Sequence, residues 1–206
     1  MRVCYNLKAN EISPAIAFSP KAHEVAGEVD ILANNAGGPP TGDFRNWDEE
    51  NWMNALRSNM LTQNFLIELT IDGMIERKFG RVLNIASVAV KAPFRSLGLS
   101  NGPHTGLIGF VVGVARDVAQ YNVTISNILP GPFETNRLEV TLSGMAKKLG
   151  ISKEETQAKR LATNPARCFG RPEEIGAAVA FLASNKAGFI TGQSLLLDGG
   201  TFPETM

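Results

Sequence analysis

The sequence lacks an excess of charge of either sign, paired cysteines and long apolar runs. Twenty basic residues balance twenty acidic residues in a chain of 206, so the formal net charge is zero. Without a basic stripe we expect no nucleic-acid partner, and a neutral surface is compatible with self-association. The two cysteines, Cys4 and Cys168, have neither a C-x-x-C motif nor metal-ligand spacing. We therefore predict no metal site and a reduced, cytoplasmic protein.

No segment of the sequence predicts a secretory signal or a membrane span. The N-terminal residues lack the apolar stretch of a signal peptide. Charges or glycines interrupt every apolar run well before the ~18 residues that a transmembrane helix needs. The length and the 44% hydrophobic content suffice for one sizeable core, which predicts a single domain.

Short apolar strands alternate with longer helices along most of the chain. One helix is predicted to begin at a capping box of Asn46 and Glu49 and to reach about Arg77, in one or two pieces. Another is predicted to begin near Pro103, because proline suits a first turn, and a later one begins at Pro172. Strands are predicted at 29–33, 82–87 and 123–129, and 193–200 is predicted to be a last strand and its turn. Short amphipathic helices are predicted to cover 137–165. This alternation predicts an α/β fold with a parallel sheet and helices on both faces.

Polar and glycine-containing motifs follow the predicted strands, at the edge where parallel sheets bind ligands. They are the NNAG segment Asn34–Gly37, Ser87, the PGPFET segment Pro130–Thr135 and the DGG segment Asp198–Gly200, with Asn59 inside a helix. In order and spacing they resemble the short-chain dehydrogenase/reductase family, in its single-domain form, over roughly residues 29–200. The branch that reduces 3-oxoacyl carrier-protein substrates is the most similar.

The resemblance implies a Rossmann-like doubly wound sheet at 29–206, after a divergent segment at 1–28, with 137–165 as a substrate lid. It implies NAD(P)-dependent hydride transfer between the cofactor and a carbonyl or alcohol substrate. Ser87 would hydrogen-bond the substrate oxygen, and Asn59 would hold a water of a proton relay. The residues implied to bind NAD or NADP are Asn34, Ala36, Gly37, Pro130, Gly131, Phe133 and Thr135.

Each implied role has a structural alternative. Asn34 and Gly37 could serve only their turn, and the segment at 130–135 could be an ordinary Pro-Gly turn. Ser87 could be an ordinary serine at a strand end. Asn59 could be a buried polar residue that satisfies a helix kink.

The sequence departs from the family at the proton donor. Family members usually carry Tyr-x-x-x-Lys, with the tyrosine thirteen residues after the serine, but this chain has Ser100 and His104 at those positions. A serine hydroxyl is a far weaker acid than a phenol, which titrates near ~10. Three interpretations remain. Ser100 caps the long helix, His104 replaces the proton donor, or both act on a non-redox substrate.

The glycine-rich loop that meets the cofactor pyrophosphate in this family is also absent, because Gly27 is the only glycine before Gly37. The usual first βαβ part therefore appears shortened, as in an N-terminally shortened form of a longer protein, and we expect weak cofactor binding at most. The strand at 29–33 would become an apolar edge. The segment from Arg2 to Leu7 could supply a substitute strand, or a partner chain could cover the edge.

Small residues on the long helix bear on self-association. Gly106, Gly109 and Gly113 permit close helix approach, and the resemblance implies an interface of a homodimer or homotetramer there. The alternative is close packing on the chain's own sheet. The apolar lid residues Leu138, Leu142, Met145 and Leu149 fit an apolar substrate portion or core packing equally well. Two functions stay open: an oxidoreductase with an altered proton donor, or a catalytically inactive structural or regulatory subunit.

Overall fold

The computed structural model describes residues 3–5 and 28–203, and these residues form a parallel sheet with helices on both faces. The strands lie in chain order across the sheet. They are β1 (Val3–Tyr5), β2 (Ile31–Asn35), β3 (Gly80–Ile85), β4 (Val123–Pro130) and β5 (Ser194–Leu197). The predicted α/β fold class is confirmed. Most ends of the predicted strands lie within two residues of the observed ends.

The short strand β1 covers the edge of β2. Val3 pairs with Ile31 and Tyr5 pairs with Ala33, in parallel register. Of the two possibilities for this edge, the structure shows a substitute strand, formed by Val3–Tyr5 within the segment predicted to supply it.

Six α-helices connect the strands within the described residues. They are α1 (Glu49–Leu56), α2 (Thr62–Glu76), α3 (Gly98–Val118), α4 (Asn136–Leu149), α5 (Lys153–Thr163) and α6 (Pro172–Ala183). A π-helical segment, Arg57–Leu61, joins α1 to α2, so the helix predicted in one or two pieces is continuous but irregular. The start of α6 at Pro172 and the amphipathic pair α4 and α5 are confirmed.

The predicted capping box of α1 is wrong. Asp48, not Asn46, caps the helix, and its carboxylate accepts a hydrogen bond of 2.8 Å from the backbone N–H of Asn51. Asn46 instead ends a short 3-10 turn that begins at Phe44. The sequence offers several acidic and amide residues within a few positions, and tertiary packing selects among them.

The predicted start of α3 is also wrong, because the helix begins at Gly98 and Pro103 lies inside it. A Cβ on Gly98 would lie 2.5 Å from the ring of Trp47, so only glycine allows the first turn to pack this closely. Leu97 is the N-cap, and Ser100 lies within the helix, where it is buried. The interpretation of Ser100 as the helix cap is therefore excluded.

Alternate residues of the strands form two cores. Leu32, Val82 and Ile125 pack against α2 and α3 on one face of the sheet. Leu83 and Ile128 pack with α6 on the other face. Both faces of the sheet are therefore buried, and apolar residues occur on both faces of the strands.

Among the described residues, no helix has the length and apolar character needed to cross a membrane.

Candidate active site

Helix α3 brings the elements with the predicted catalytic residues together. It packs against the π-helical segment that contains Asn59 and against the turn Val88–Val90, which follows Ser87. The helix itself carries Ser100 and His104. The turn follows the carboxyl end of β3 and contacts β4, and a parallel sheet offers its ligand crevice at this edge.

Asn59 is fully buried and its amide is only half satisfied. Its Nδ2 donates to the Ala55 carbonyl at 3.2 Å and to Ser58 Oγ at 2.8 Å. Its Oδ1 has no hydrogen-bond partner among the described residues. In the π-helical segment the Nδ2 group of Asn59 is therefore satisfied, while Oδ1 can accept a hydrogen bond from a water or a ligand.

Ser87 is half-buried directly after β3. Its Oγ accepts a hydrogen bond of 3.1 Å from the backbone N–H of Ala89 and so caps the following turn. The hydroxyl hydrogen has no acceptor among the described residues. Ser87 therefore has a structural function and also keeps a donor for a substrate oxygen.

Ser100 and His104 form a buried pair on α3. His104 Nδ1 lies 3.0 Å from both the carbonyl oxygen and Oγ of Ser100. A carbonyl oxygen can only accept, so Nδ1 carries the hydrogen and donates it to Ser100. This leaves Nε2 as the basic nitrogen, the one that can exchange a proton with a ligand.

Burial lowers the pKa of His104 from its ordinary value of 6.5, and the hydrogen bond to the Ser100 carbonyl offsets part of this effect. The imidazole is therefore mainly neutral at pH 7. A neutral imidazole with Nδ1 committed to Ser100 is a proton acceptor at Nε2. This changes the expectation that His104 donates a proton at neutral pH.

Asn34 lies in β2 and is buried, so the interpretation that it serves only a turn is wrong. Its Nδ2 donates to Asn84 Oδ1 at 2.8 Å, while its own Oδ1 has no partner among the described residues. The NNAG segment leaves the strand only after Asn35. Asn84 was not predicted as a site residue, although an asparagine inside an apolar strand was a usable signal.

The two glycines in the implied cofactor segments differ in their surroundings. A Cβ on Gly37 would meet no atom within 4 Å, so this position faces open space, next to half-buried Ala36. A Cβ on Gly131 would lie 2.8 Å from Cα of Asp198. Gly131 therefore permits close packing of two backbone segments, and its N–H donates to the Leu197 carbonyl at 2.8 Å.

The remaining residues of the PGPFET segment have clear structural functions. Pro130 ends β4, and Phe133 is buried against Gly170. Thr135 is exposed and caps α4, because its Oγ1 accepts from the N–H of Leu138 at 3.4 Å. These contacts fix the segment between β4 and the predicted lid, and they leave the cofactor roles of the three residues as predictions.

A residue missed in the sequence links the lid to the NNAG segment. Arg137 in the first turn of α4 donates from Nη2 to the Pro39 carbonyl at 2.6 Å. Its guanidinium lies 3.2 Å from where a Cβ on Gly38 would be. The bridge joins segments that follow β2 and β4, the two strands that flank β3 in the sheet. Nothing in the local sequence signals this contact, which depends on the sheet topology.

A cavity of about 350 Å³ lies at the N-terminus of α4, and its lining residues are Glu134, Thr135, Asn136, Leu138, Glu139, Gln157 and Phe169. Its two carboxylates disfavour a phosphate group there. Leu138 and Leu142 are buried with Phe169, whereas Met145 and Leu149 are exposed. Core packing therefore explains the first two apolar lid residues.

Comparison with known proteins assigns the chain to a family. Residues 11–201 match the family model described as enoyl-(acyl carrier protein) reductase. Together with the relatives below, this match shows that the chain belongs to the short-chain dehydrogenase/reductase family.

Curated relatives are reductases and dehydrogenases. The chain is 35% identical to 3-oxoacyl-(acyl-carrier-protein) reductase FabG of Vibrio cholerae over 178 residues, which cover 85% of this chain and 68% of that protein. It is 34% identical to acetoacetyl-CoA reductase of Cupriavidus necator, over 91% of this chain and 72% of that protein. It is 32% identical to dehydrogenase/reductase SDR family member 4 of Bos taurus, over 97% of this chain and 67% of that protein.

Two solved structures resemble the fold closely. The NADPH-dependent reductase YwfH, involved in bacilysin biosynthesis, matches with a TM-score of 0.84 and 26% identity, over 90% of this chain and 71% of that chain. A variant of actinorhodin polyketide ketoreductase with NADPH matches with the same TM-score and identity, over 90% of this chain and 72% of that chain.

Proposed function

We propose that the protein is an NAD(P)-dependent oxidoreductase that transfers hydride between the cofactor and a carbonyl or alcohol substrate. The observation that carries this proposal is that α3, which contains His104, packs against both the π-helical segment that contains Asn59 and the turn that follows Ser87. The named activities of the reductase relatives support the reaction class.

The described residues fit the nucleoside parts of a dinucleotide. Asn34 offers a buried acceptor without a partner among the described residues, and open space adjoins Gly37. Asn34, Ala36 and Gly37 would hold the adenosine ribose side, and the segment at 130–135 the nicotinamide side. No glycine-rich loop precedes them in the sequence, so we propose weak binding, with an affinity poorer than low micromolar.

When bound, the cofactor accepts or supplies the hydride. Ser87 donates its hydroxyl hydrogen to the substrate oxygen and stabilises the charge that develops there. In alcohol oxidation, His104 Nε2 accepts the hydroxyl proton. Asn59 Oδ1 holds a water that passes this proton onwards.

The protonation of His104 sets the favoured direction. Because its pKa is lowered, the neutral form that accepts a proton predominates at pH 7. Carbonyl reduction needs the imidazolium, whose share grows only as pH falls. We therefore propose that the site favours alcohol oxidation at neutral pH.

The test follows nicotinamide absorbance with panels of alcohols, ketones and aldehydes. We expect alcohol oxidation by the wild type and a loss of about 10²-fold or more in His104→Gln, the range for removal of a general base. His23→Gln is the control for the other histidine in the sequence. Full activity in His104→Gln would contradict the mechanism, and absence of turnover with every substrate would contradict the proposed function.

A non-catalytic subunit of the same fold is the second candidate. It is favoured by the positions of Ser100 and His104, which replace the family's tyrosine and lysine, and by the commitment of Nδ1 to Ser100. This function predicts a folded protein without cofactor binding or turnover. A cofactor titration by fluorescence separates the two candidates.

The exposed face of α2 and α3 supports a homodimer, alone or within a homotetramer. Phe65, Leu69 and Phe110 are between 37% and 43% exposed on these helices. A Cβ added to Gly109 or Gly113 would meet no atom within 4 Å, so these two glycines do not pack on the chain's own sheet. We propose that a second copy covers this face, and we retain the cytoplasm as the proposed location.

The segment at 137–165 is proposed as the substrate lid of a single domain at 29–206. Arg137 supports this role because it joins the first turn of α4 to Pro39 across the crevice. Opening of the lid requires that this bond break, so Arg137 would control access to Ser87.

A further inference from the structure

Four polar side chains form a hydrogen-bonded ladder across four neighbouring strands of the sheet. Asn34, Asn84, Asn127 and Ser194 occupy paired positions on β2, β3, β4 and β5. Asn34 Nδ2 donates to Asn84 Oδ1 at 2.8 Å, Asn84 Nδ2 to Asn127 Oδ1 at 3.2 Å, and Asn127 Nδ2 to Ser194 Oγ at 3.2 Å. Asn84 and Asn127 are fully buried, so water cannot substitute for these bonds.

The ladder has one direction, because every amide donates towards β5. If all the amides were flipped, every bond would run the other way and Asn34 would present its Nδ2 at the β2 end. In the observed direction Asn34 presents Oδ1, which is buried and has no partner among the described residues. Because buried acceptors are normally paired, this oxygen is open to a donor from outside the described residues, such as a ligand hydroxyl or an ordered water.

We propose that Asn84 and Asn127 are positioning residues that hold the Asn34 amide with its carbonyl oxygen ready to accept a hydroxyl of a dinucleotide ligand. This inference rests on the proposed function. Donation from Nδ2 polarises the Asn34 amide, so its oxygen becomes a stronger acceptor along the chain of bonds. Asn127 acts through Asn84 and has no contact with the ligand itself.

The test compares two substitutions of Asn127. Asn127→Asp keeps an acceptor for Asn84 Nδ2 and therefore keeps the direction of the ladder, whereas Asn127→Leu removes the acceptor. We expect Asn127→Leu to weaken NAD⁺ and NADP⁺ binding about 10-fold in calorimetry, equivalent to about 1.4 kcal/mol. Asn127→Asp should bind within about 2-fold of the wild type, although a buried carboxyl lowers its stability.

A double-mutant cycle separates positioning from general damage to the fold. If Asn127 acts through Asn34, Asn127→Leu causes no further loss of binding in an Asn34→Leu background. A further loss there would overturn the proposal. Ser126→Ala is the matched control, because Ser126 is buried in the same strand, faces the other side of the sheet, and has an Oγ without a partner among the described residues. It should leave binding unchanged.

Side-chain amide spectra of the free protein keep the test independent of cofactor binding. With ¹⁵N-asparagine labelling, the Asn34 NH₂ signal is assigned by its loss in Asn34→Leu. We expect this signal to shift in Asn127→Leu and to stay in place in Ser126→Ala. Asn127→Ala replaces Asn127→Leu if the latter does not fold. A wild type that binds neither nucleotide would contradict the proposed function alone, whereas an unshifted Asn34 signal would overturn the ladder.

Discussion

Gly37 and Gly131 lie in the two segments that flank the crevice, and an added methyl group should affect them in opposite ways. In Gly131→Ala the Cβ would lie 2.8 Å from Cα of Asp198, and backbone atoms cannot move aside cheaply. Overpacking of this kind costs about 1–3 kcal/mol. In Gly37→Ala the Cβ meets no atom within 4 Å, and the φ angle lies outside the left-handed region. Its free energy of unfolding should change by less than about 0.5 kcal/mol.

Thermal unfolding followed by circular dichroism measures both effects. For a chain of this size about 1 kcal/mol corresponds to about 2–4 °C in Tm, so Gly131→Ala should lower Tm by about 2–12 °C. Gly37→Ala should unfold at the wild-type temperature. An unchanged Tm for Gly131→Ala would refute the argument that close backbone packing requires glycine there.

The same pair also tests the crevice as a binding site. A larger residue in Gly37→Val fills open space in the free protein, so stability should hardly change. If the cofactor approaches this backbone, Gly37→Val should weaken its binding. Equal nucleotide affinity of the wild type and Gly37→Val would show that the ligand does not occupy this space.

Three further predictions concern other parts of the molecule. The lowered pKa of His104 means that its contribution to stability is complete above pH ~6.5 and is lost as pH falls through the folded-state value. Denaturant unfolding at pH ~7.5 and ~5.5 should therefore show a smaller acid loss in His104→Gln than in the wild type. Gly109→Phe should dissociate the oligomer in sedimentation without unfolding the chain, whereas Gly144→Phe on α4, also in open space, should not; an unchanged oligomer would count against the interface. Arg137→Ala should increase hydrogen exchange at the backbone amides of 36–38 and 41, which flank Pro39 and Pro40, because the bond to the Pro39 carbonyl is lost. Equal exchange would exclude the bridge in solution.

The sequence was sufficient for the fold because its strongest signals are local. The strands β3 and β4 are short segments rich in apolar and β-branched residues between turn residues, and both are buried on both faces. Pro172 and the acidic residues after it fix the start of α6. These patterns depend on residues within a few positions of each other.

The errors came from features that depend on distant residues. Gly98 begins α3 because Trp47 packs on it, fifty-one positions away in the chain, and this contact outweighs the helix-start signal of Pro103. Likewise, the contact of Arg137 with Pro39 arises only when β2 and β4 lie in one sheet. The sequence spacing identified Asn59 and Ser87 as site residues by resemblance. It could not predict that Asn59 Oδ1 and the Ser87 hydroxyl hydrogen have no partner among the described residues.

Ser100 and His104 replace the tyrosine and lysine that are usual in the family. Their arrangement still allows proton transfer, but it limits His104 to accepting a proton at neutral pH. Their positions four residues apart on α3 place Nδ1 against the Ser100 carbonyl, which fixes the tautomer. Burial then favours the neutral ring, so the only free function of His104 at pH 7 is to accept a proton at Nε2. If the protein reduces ketones efficiently at neutral pH, the proton must come from another donor. The hydroxyl of Ser87 and a water on Asn59 Oδ1 are then the candidates, and substitution of His104 would leave that activity intact.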